Sequence, residues 1–204
     1  MRYISDMKGE HVTTGSVSPR RADTRRNHER ILAVAAESLA ETGELSFNTI
    51  ARKAEVGVGT VYRHFPNPEA LILAVYQREV DHLVEVVPSL LARHEPEQAF
   101  RRWVIDHLAR YMMTKRGLAN ALSAATSARG TLPAHAYVAM VGAVETLLTA
   151  NVAAGTVRAD LTPTVVLRGL SGLMMLDPHG HWRNEAASLI DLLWCGMSAC
   201  PNCG

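Results

Sequence analysis

Apolar residues recur at helical spacing from Thr24 to Ser198, and almost no stretch alternates with period two for long enough to be a strand. Helical spacing brings residues i, i+3, i+4 and i+7 onto one face, which can then be buried against a neighbouring helix. One such face comprises Phe100, Trp103, Val104, His107, Leu108 and Tyr111. The pattern therefore predicts an all-α protein.

Proline, glycine and capping residues divide this pattern into nine predicted helices. Ser46 and Asn67 are predicted N-caps, and Pro88 is expected to kink or stop the fourth helix. The predicted helices cover about 24–42, 47–54, 58–64, 68–86, 96–111, 118–127, 133–154, 163–176 and 182–198.

The same division predicts four parts of the chain. Residues 1–22 are polar and are interpreted as a flexible tail. A small three-helix unit follows over 23–67, and a larger helical domain follows over 68–198. Residues 199–204 form a short tail that contains cysteine. The fourth helix is expected to be a rod of roughly 28 Å that joins the two helical parts.

Composition narrows the class of protein. The chain of 204 residues is 48% hydrophobic and 20% charged, which is typical of a globular protein. Its net charge of +1 excludes polybasic binding over the whole surface but leaves room for a local basic face. No uninterrupted apolar run approaches about 18 residues, so no membrane span is expected. The first residues lack an apolar export core, and the cysteines do not form a secreted framework, which predicts the cytoplasm.

The segment from Ser46 to Phe65 carries the functional prediction. It consists of two short helical stretches joined by a tight turn, and neither stretch could form a stable helix alone in water. The apolar residues Ile50 and Val61 are placed so that the two stretches can pack together. This arrangement, with the motif at about 46–65, predicts a helix-turn-helix whose second helix enters the major groove of DNA.

The remaining side chains of the motif suit that task. Hydroxyl, guanidinium and imidazole groups can contact phosphates and base edges, and small residues permit close approach. Arginines before the motif supply a local basic arm, although a charge run is more often a solvated face. The candidate DNA-binding residues are Arg25, Arg26, Ser46, Asn48, Thr49, Val58, Gly59, Thr60, Tyr62, Arg63 and His64.

Four stretches in this order resemble the TetR family of transcriptional regulators: RRNHERIL, IARKAEV, GTVYRHF and FPNPEALILAV. They span about a quarter of the chain. The resemblance implies a layout of about nine helices, a homodimer and a pocket for a small-molecule effector. It also implies that Thr60, Tyr62 and His64 contact phosphates and the groove wall, while Asn48, Val58 and Gly59 read bases.

Three positions depart from the family pattern. Glu55 stands where the turn usually has glycine, so a positive φ is expected there at some cost in free energy. Gly57 replaces the usual Ser or Thr cap of the second helix of the motif. Pro68 replaces a frequent lysine, which removes one expected backbone contact with DNA.

A pocket in the larger helical domain is predicted for the effector. Methionine and aromatic side chains adapt to varied ligands, but at helical spacing they are more often plain core. His107 has the same two interpretations, as a hydrogen-bonded core residue or as an effector contact. The candidate pocket residues are Trp103, His107, Tyr111, Met112, Met140, Val144, Glu145 and Met174.

The last two predicted helices are the expected dimer surface. Glycines near Leu170 permit close approach of helices, and the final helix has a long apolar stripe. Paired with their symmetry mates, the two helices would form a four-helix interface. The candidate interface residues are Leu170, Leu173, Ala186, Leu189, Ile190, Leu193, Trp194 and Met197.

These features together predict a sequence-specific DNA-binding regulator, a repressor released from a palindromic operator by a small molecule. One alternative is a thiol- or metal-responsive regulator acting through Cys195, Cys200 and Cys203. Another is a ligand-binding protein with an impaired DNA head. No catalytic arrangement appears at a telling spacing, so an enzyme, a cofactor or a bound metal is not expected.

Overall fold

The computed structural model describes residues 19–126 and 134–199, and over these residues the fold is all-α, as predicted. The helices are α1 (Pro19–Thr42), α2 (Phe47–Lys53), α3 (Val58–His64), α4 (Pro68–Arg93), α5 (Pro96–Arg102), α6 (Arg110–Thr114), α7 (Arg116–Thr126), α8 (Ala134–Ala153), α9 (Pro163–Leu170) and α10 (Trp182–Met197). A π-helical segment, Trp103–Ala109, joins α5 to α6, and a 3₁₀ turn, Ser171–Met175, follows α9.

The predicted N-caps are confirmed. The Ser46 hydroxyl accepts a hydrogen bond of 3.4 Å from the backbone N–H of Thr49 at the start of α2. The Asn67 side chain accepts one of 2.8 Å from the backbone N–H of Ala70 at the start of α4. Each cap satisfies a donor that the first helical turn leaves without a partner. The boundaries of the short helices of the motif therefore follow from local sequence.

The prediction that Pro88 kinks or stops the fourth helix near residue 86 is wrong about its length, because α4 continues through Pro88 to Arg93. A proline inside a helix removes one backbone hydrogen bond. On either side of it, Val87 and Leu90 are buried in the core, and this packing holds the final turns of the helix in place. The 26 residues of α4 span about 39 Å, which makes it the longest helix among the described residues.

Several other boundaries differ from the prediction; the predicted helix over 96–111 is divided by the π segment and ends at Thr114, and two further differences are large. Helix α1 begins at Pro19, ahead of the expected start at Thr24. Helix α9 ends at Leu170, and the chain tightens into the 3₁₀ turn where a continuous helix to residue 176 was expected. Glycine has low helix propensity, and Gly169 and Gly172 flank this change of geometry. The tightened turn buries Leu173.

Among the described residues, α8 is the one helix long and apolar enough, by length and composition alone, to cross a membrane, although no membrane span was expected from the sequence. That expectation counted uninterrupted apolar runs, whereas α8 reaches the threshold with interspersed small and polar residues. The core helix of a soluble protein passes the same test. One face of α8 is buried, including Ala143, Val144 and Leu147, and the helix packs against α4, α5 and α9.

The first three helices are attached to the rest of the molecule through α4 and α7. Helix α1 packs against α2, α4 and α7, while α4 also packs against α5, α7 and α8. Gly117 in α7 lies very close to α1, because a Cβ atom there would lie 1.8 Å from the carbonyl oxygen of Leu39. We call α1–α3 the reading unit and α4–α10 the effector region, and this contact joins them.

Candidate nucleic-acid interface

Helices α2 and α3 form a helix-turn-helix held by a small apolar core. Ile50 and Val61 have no exposed surface, and Ala51 and Ala54 are also buried between the two helices. The backbone N–H of Val56 donates to the carbonyl of Ala51 at 2.9 Å and closes the turn. Seven-residue helices are too short to persist alone, so this shared core is what keeps α3 in position.

The opposite face of α3 is open to solvent. Val58 is 40% exposed and Tyr62 is 56% exposed, and Gly59 and Arg63 are exposed as well. Val58 and Tyr62 lie on this surface beside the polar side chain of Arg63. This face of α3 therefore has the exposure and the chemistry needed to enter a DNA groove.

Contacts within the reading unit orient two of these side chains. The Arg63 guanidinium donates a hydrogen bond of 3.0 Å to the hydroxyl of Thr60, one turn earlier. The Tyr62 ring meets the buried ring of Phe47 edge-on, with 4.9 Å between centroids. The aromatic contact fixes the ring while the hydroxyl end remains exposed, so Tyr62 is held ready for a polar contact.

His64 lies at the end of α3 in a ring cluster with His28 of α1 and Phe65. The centroid of His28 is 5.3 Å from that of His64 and 5.1 Å from that of Phe65. Partial burial lowers the pKa of His64, and the nearby His28 and Arg63 lower that pKa further. Near neutral pH the imidazole of His64 is therefore uncharged and can offer one donor and one acceptor.

The other predicted contacts border α3. Asn48 is exposed and Thr49 is half-buried in the first turn of α2, next to the exposed Ser46. Arg25 and Arg26 are exposed on α1, and Arg26 forms an ion pair with Asp23. The structure thus brings all the predicted contact types to the surface of one unit.

Three of the eight predicted effector-pocket residues line cavities bounded by the described residues, in two different places. His107 and Tyr111 line a cleft of about 790 Å³ bounded by α1, α4, the π segment, α6 and Lys115, which we call the junction cleft. Burial, then Tyr76 and Glu79, raise the pKa of Tyr111, so its hydroxyl stays protonated and can donate.

The assignment of the other six residues to one effector pocket stays a prediction, and their surroundings differ from one residue to the next. Trp103 is buried and its indole N–H donates to the carbonyl of Leu83 at 2.8 Å. Glu145 lines a separate cavity of about 400 Å³ at α8. Met140 and Val144 are buried, Met112 is half-buried and Met174 is 57% exposed.

The prediction of the dimer surface is wrong for most of its residues, because they are buried within one chain. Leu170, Leu173, Ala186, Ile190, Trp194 and Met197 are all buried in the core of the single chain. Leu189 and Leu193 are half-buried. A Cβ at Gly169 would lie 3.3 Å from Leu193, and one at Gly172 would lie 3.4 Å from Leu189. The glycines do admit neighbouring side chains closely, but those side chains belong to the same molecule.

The structure describes one of the three cysteines in the hypothesis of a thiol- or metal-responsive regulator. Cys195 is an exposed free thiol on α10, whereas Cys200 and Cys203 lie outside the described residues. Within residues 19–126 and 134–199, no group of three or more His, Cys, Asp or Glu side chains could hold a metal ion.

Comparison with known proteins agrees with this geometry. The family model for bacterial regulatory proteins of the tetR family matches residues 31–75. The model for the C-terminal domain of SbtR-like transcriptional regulators matches residues 95–199. The chain belongs to the TetR family.

Solved TetR-family structures have the same fold over most of this chain. The TetR regulator SCO0520 from Streptomyces coelicolor is 36% identical, with 83% of this chain and 97% of that chain covered and a TM-score of 0.69. A TetR regulatory protein from Mycobacterium vanbaalenii is 32% identical, with 88% and 99% covered and a TM-score of 0.67.

Curated relatives match a shorter stretch. A helix-turn-helix transcriptional regulator from Staphylococcus aureus strain USA300 is 26% identical over 106 residues. That stretch is 51% of this chain and 57% of the relative, so the chain spans little more than half the length of the curated relatives it matches.

The three departures from the TetR pattern have visible consequences. Glu55 has a φ of +55°, which confirms the expected left-handed turn, and Arg30 lies near it, with its guanidinium 3.7 Å from the Glu55 carboxylate. Gly57 caps α3 without a side-chain hydrogen bond. Pro68 begins α4 directly after the Asn67 cap, so this position stabilises the helix start and offers no cation.

Sequence reasoning missed several residues of the junction cleft, including Arg78, His82 and Arg110. Their spacing resembles any solvated helix face, and only the packing of α1 beside α4 and the π segment brings them together. The one signal in the chain was that His107 and Tyr111, in an otherwise apolar stripe, are polar and lie one turn apart.

Proposed function

We propose that this protein is a sequence-specific DNA-binding regulator that represses from a palindromic operator and is released by a small molecule. The observation that carries the proposal is the exposed polar face of α3 on a helix-turn-helix whose other face is fully packed. Ligand-responsive repression is typical of the TetR family. Its place of action would be the cytoplasm, where bacterial chromosomal DNA lies.

Base reading is assigned to the start of α3 and phosphate contact to its later residues. Val58 and Gly59 are small and exposed, so they can approach base edges or a thymine methyl group. Tyr62, Arg63 and the neutral His64 follow, with donors that suit phosphate oxygens. Arg25 and Arg26 on α1 would add sequence-independent attraction.

A homodimer would present two copies of α3 to one face of the duplex. Since the inner faces of α9 and α10 are used within the chain, the proposed interface consists of their outer faces. Val165 is 55% exposed and Leu192 is 70% exposed on these helices, and Gly196 is exposed nearby. A symmetric pair should place the two reading helices about 34–36 Å apart, one turn of DNA.

Release would act through α4, which contacts α1 and also packs against other helices of the effector region. A ligand that favours one tilt of α4 would change the separation of the two reading helices. Shifting such an equilibrium from 99:1 to 1:99 requires about 5.5 kcal/mol of differential ligand affinity. The effector must therefore bind one conformation far more tightly than the other.

The test is selection of bound sequences from a random DNA pool, followed by gel shifts on the selected site. We expect a palindrome, and we expect Tyr62→Ala and Arg63→Ala to weaken retention severely while the dimer persists in sedimentation. Tyr137→Ala on α8 and Arg93→Ala at the end of α4 are matched exposed controls and should bind normally. Normal retention by both α3 variants would exclude α3 as the reading helix.

The revised dimer surface has its own test. Leu192→Glu places a charge in the proposed interface and should shift the protein to monomer in sedimentation, with folding unchanged by circular dichroism. Val138→Glu, also at an exposed site, on α8, should leave the dimer intact. A dimer that survives Leu192→Glu would rule out this interface.

A further inference from the structure

The junction cleft lies where the reading unit meets the effector region. One wall is α1, which contributes the small side chains Ala33, Ala36 and Ala40, and the facing walls are α4, the π segment and α6. At about 790 Å³ it is large enough for a small organic molecule. The π segment is itself notable, because π-helical geometry is rare and occurs frequently at functional sites.

Most charges around the cleft already have partners. Lys115 pairs with Glu79 at 3.2 Å, and Arg78 pairs with Glu29 at 3.6 Å. Asp106 pairs with Arg183 at 3.1 Å. These side chains are neutralised locally and do not need a ligand.

Besides the Glu37 carboxylate, three basic side chains that line the cleft have no ion-pair partner among the described residues. Among the described residues the guanidinium of Arg110 has no ion-pair partner, and it lines the cleft with His82 and His107. Burial is the main cause that lowers the pKa of His107; Asp106 raises that pKa, and His82 and Arg110 lower it. His107 is therefore close enough to His82 and to Arg110 to be repelled by each when charged, and an anion among the three groups would relieve that repulsion.

We propose that the junction cleft binds a small organic acid, whose carboxylate or phosphate group is held by Arg110, His82 and His107. Its apolar body would lie along the alanine face of α1, and Glu37 on the same wall would accept a hydrogen bond from a hydroxyl or amino group of the ligand. The role of this ligand as the effector rests on the function proposed above, whereas the binding site itself does not.

The location explains how occupancy could reach the DNA surface. Since α1 forms one wall and also packs on α2, a molecule in the cleft contacts the reading unit directly. A ligand that bridges α1 to the π segment would favour one placement of the reading unit over the others. This route does not require a cavity inside the effector region.

The first experiment titrates the full-length protein with benzoate, with inorganic phosphate, and with benzamide as the neutral match to benzoate. Calorimetry should detect benzoate or phosphate binding at millimolar concentration and no benzamide binding. Arg110→Gln should weaken anion binding by about tenfold or more, because it removes a charge-assisted hydrogen bond. Arg93→Gln, an exposed arginine away from the cleft, is the control and should bind like the parent protein.

The second experiment uses the histidines as reporters. Anion binding favours the imidazolium form, so benzoate, which stays ionised over this range, should bind more tightly at about pH 6 than at about pH 8, and NMR should show the pKa of His107 rising when benzoate replaces chloride. His107→Asn should flatten this pH dependence. The titratable and charged groups that face His107 across the cleft are Glu37, Arg78, Glu79, His82, Asp106, Arg110, Tyr111 and Lys115.

Either of two results would overturn the site: neither anion binds better than benzamide, or Arg110→Gln and His107→Asn bind anions as the parent does. A different result would contradict the role of this ligand in release from DNA. If anions bind with the expected dependence on Arg110 but gel shifts stay unchanged across the titration, the cleft is a ligand site and is not the release switch.

Discussion

The helix-turn-helix and the last two helices were both predicted from sequence as contact surfaces, yet the predicted residues are exposed in the first and mostly buried in the second. In α3 the predicted contact residues Val58, Tyr62 and Arg63 are exposed. In α10 the predicted contact residues Ile190 and Trp194 are buried within the same chain. An apolar stripe thus reports that a face is buried, without identifying what buries it.

The two outcomes differ because the apolar residues of the two regions had different numbers of possible packing partners. In the reading unit, the few apolar residues of α2 and α3 pack against each other, so the remaining polar residues face outward. In α10, the apolar stripe could have met a second subunit or the rest of its own chain. The glycines at 169 and 172 let Leu193 and Leu189 approach within one molecule, which decided the outcome.

The largest expected effect is on the free energy of unfolding and concerns the buried face of α10. Ile190→Ala should lower the free energy of unfolding by about 2–5 kcal/mol, because it leaves a cavity in a fully buried site. Leu192→Ala, two residues away and 70% exposed, should change it by no more than about 0.5 kcal/mol in the monomer. Urea denaturation measures both, and equal losses would mean that the two faces of α10 are not distinct.

A smaller effect is expected where the two regions touch. Gly117→Ala would place a Cβ 1.8 Å from the Leu39 carbonyl, so α7 and α1 must separate at a cost of about 1–3 kcal/mol. Gly142→Ala in α8 has open space around it and should stabilise the protein by up to about 1 kcal/mol. Thermal unfolding with the pair distinguishes a steric joint from a general effect of alanine; stabilisation by both would argue against the joint.

The turn of the reading unit provides a third, smaller test. Glu55→Gly should stabilise the protein by about 1 kcal/mol, because glycine adopts the positive φ without strain. Glu55→Ala keeps the strained φ and removes the pair with Arg30, so it should not stabilise. If both variants unfold at the same denaturant concentration, the left-handed residue carries no measurable strain.

The smallest expected effect is the acid dependence of each region. Burial lowers the pKa of His64 and of His107 below the ordinary 6.5, so the unfolded chain binds more protons just below that pH. Stability contributed by the neutral imidazoles is full above about 6.5 and is lost as pH falls further. His64→Asn and His107→Asn should each make this loss shallower in urea titrations at several pH values, and an unchanged slope in both would contradict the burial effect.

Much of the local structure was predictable because its causes are local. The caps at Ser46 and Asn67 and the left-handed Glu55 depend on residues within one helical turn. Pro88 shows the limit of that reasoning. The helix continues through this proline because residues on both sides of it are buried in the core. The candidate DNA surface was likewise predictable, because its core and its exposed face come from one short segment.

The sequence by itself determined the helical class, the starts of the motif helices and the polar face of α3, because hydrogen bonds between near neighbours control these features. Only the tertiary structure decided which apolar faces are internal and which charged residues share the junction cleft. Arg110 and His82 lie on different helices and become neighbours only when α4 packs beside the π segment and α6. Burial and proximity between distant segments depend on the packing of the whole chain, which no local pattern encodes.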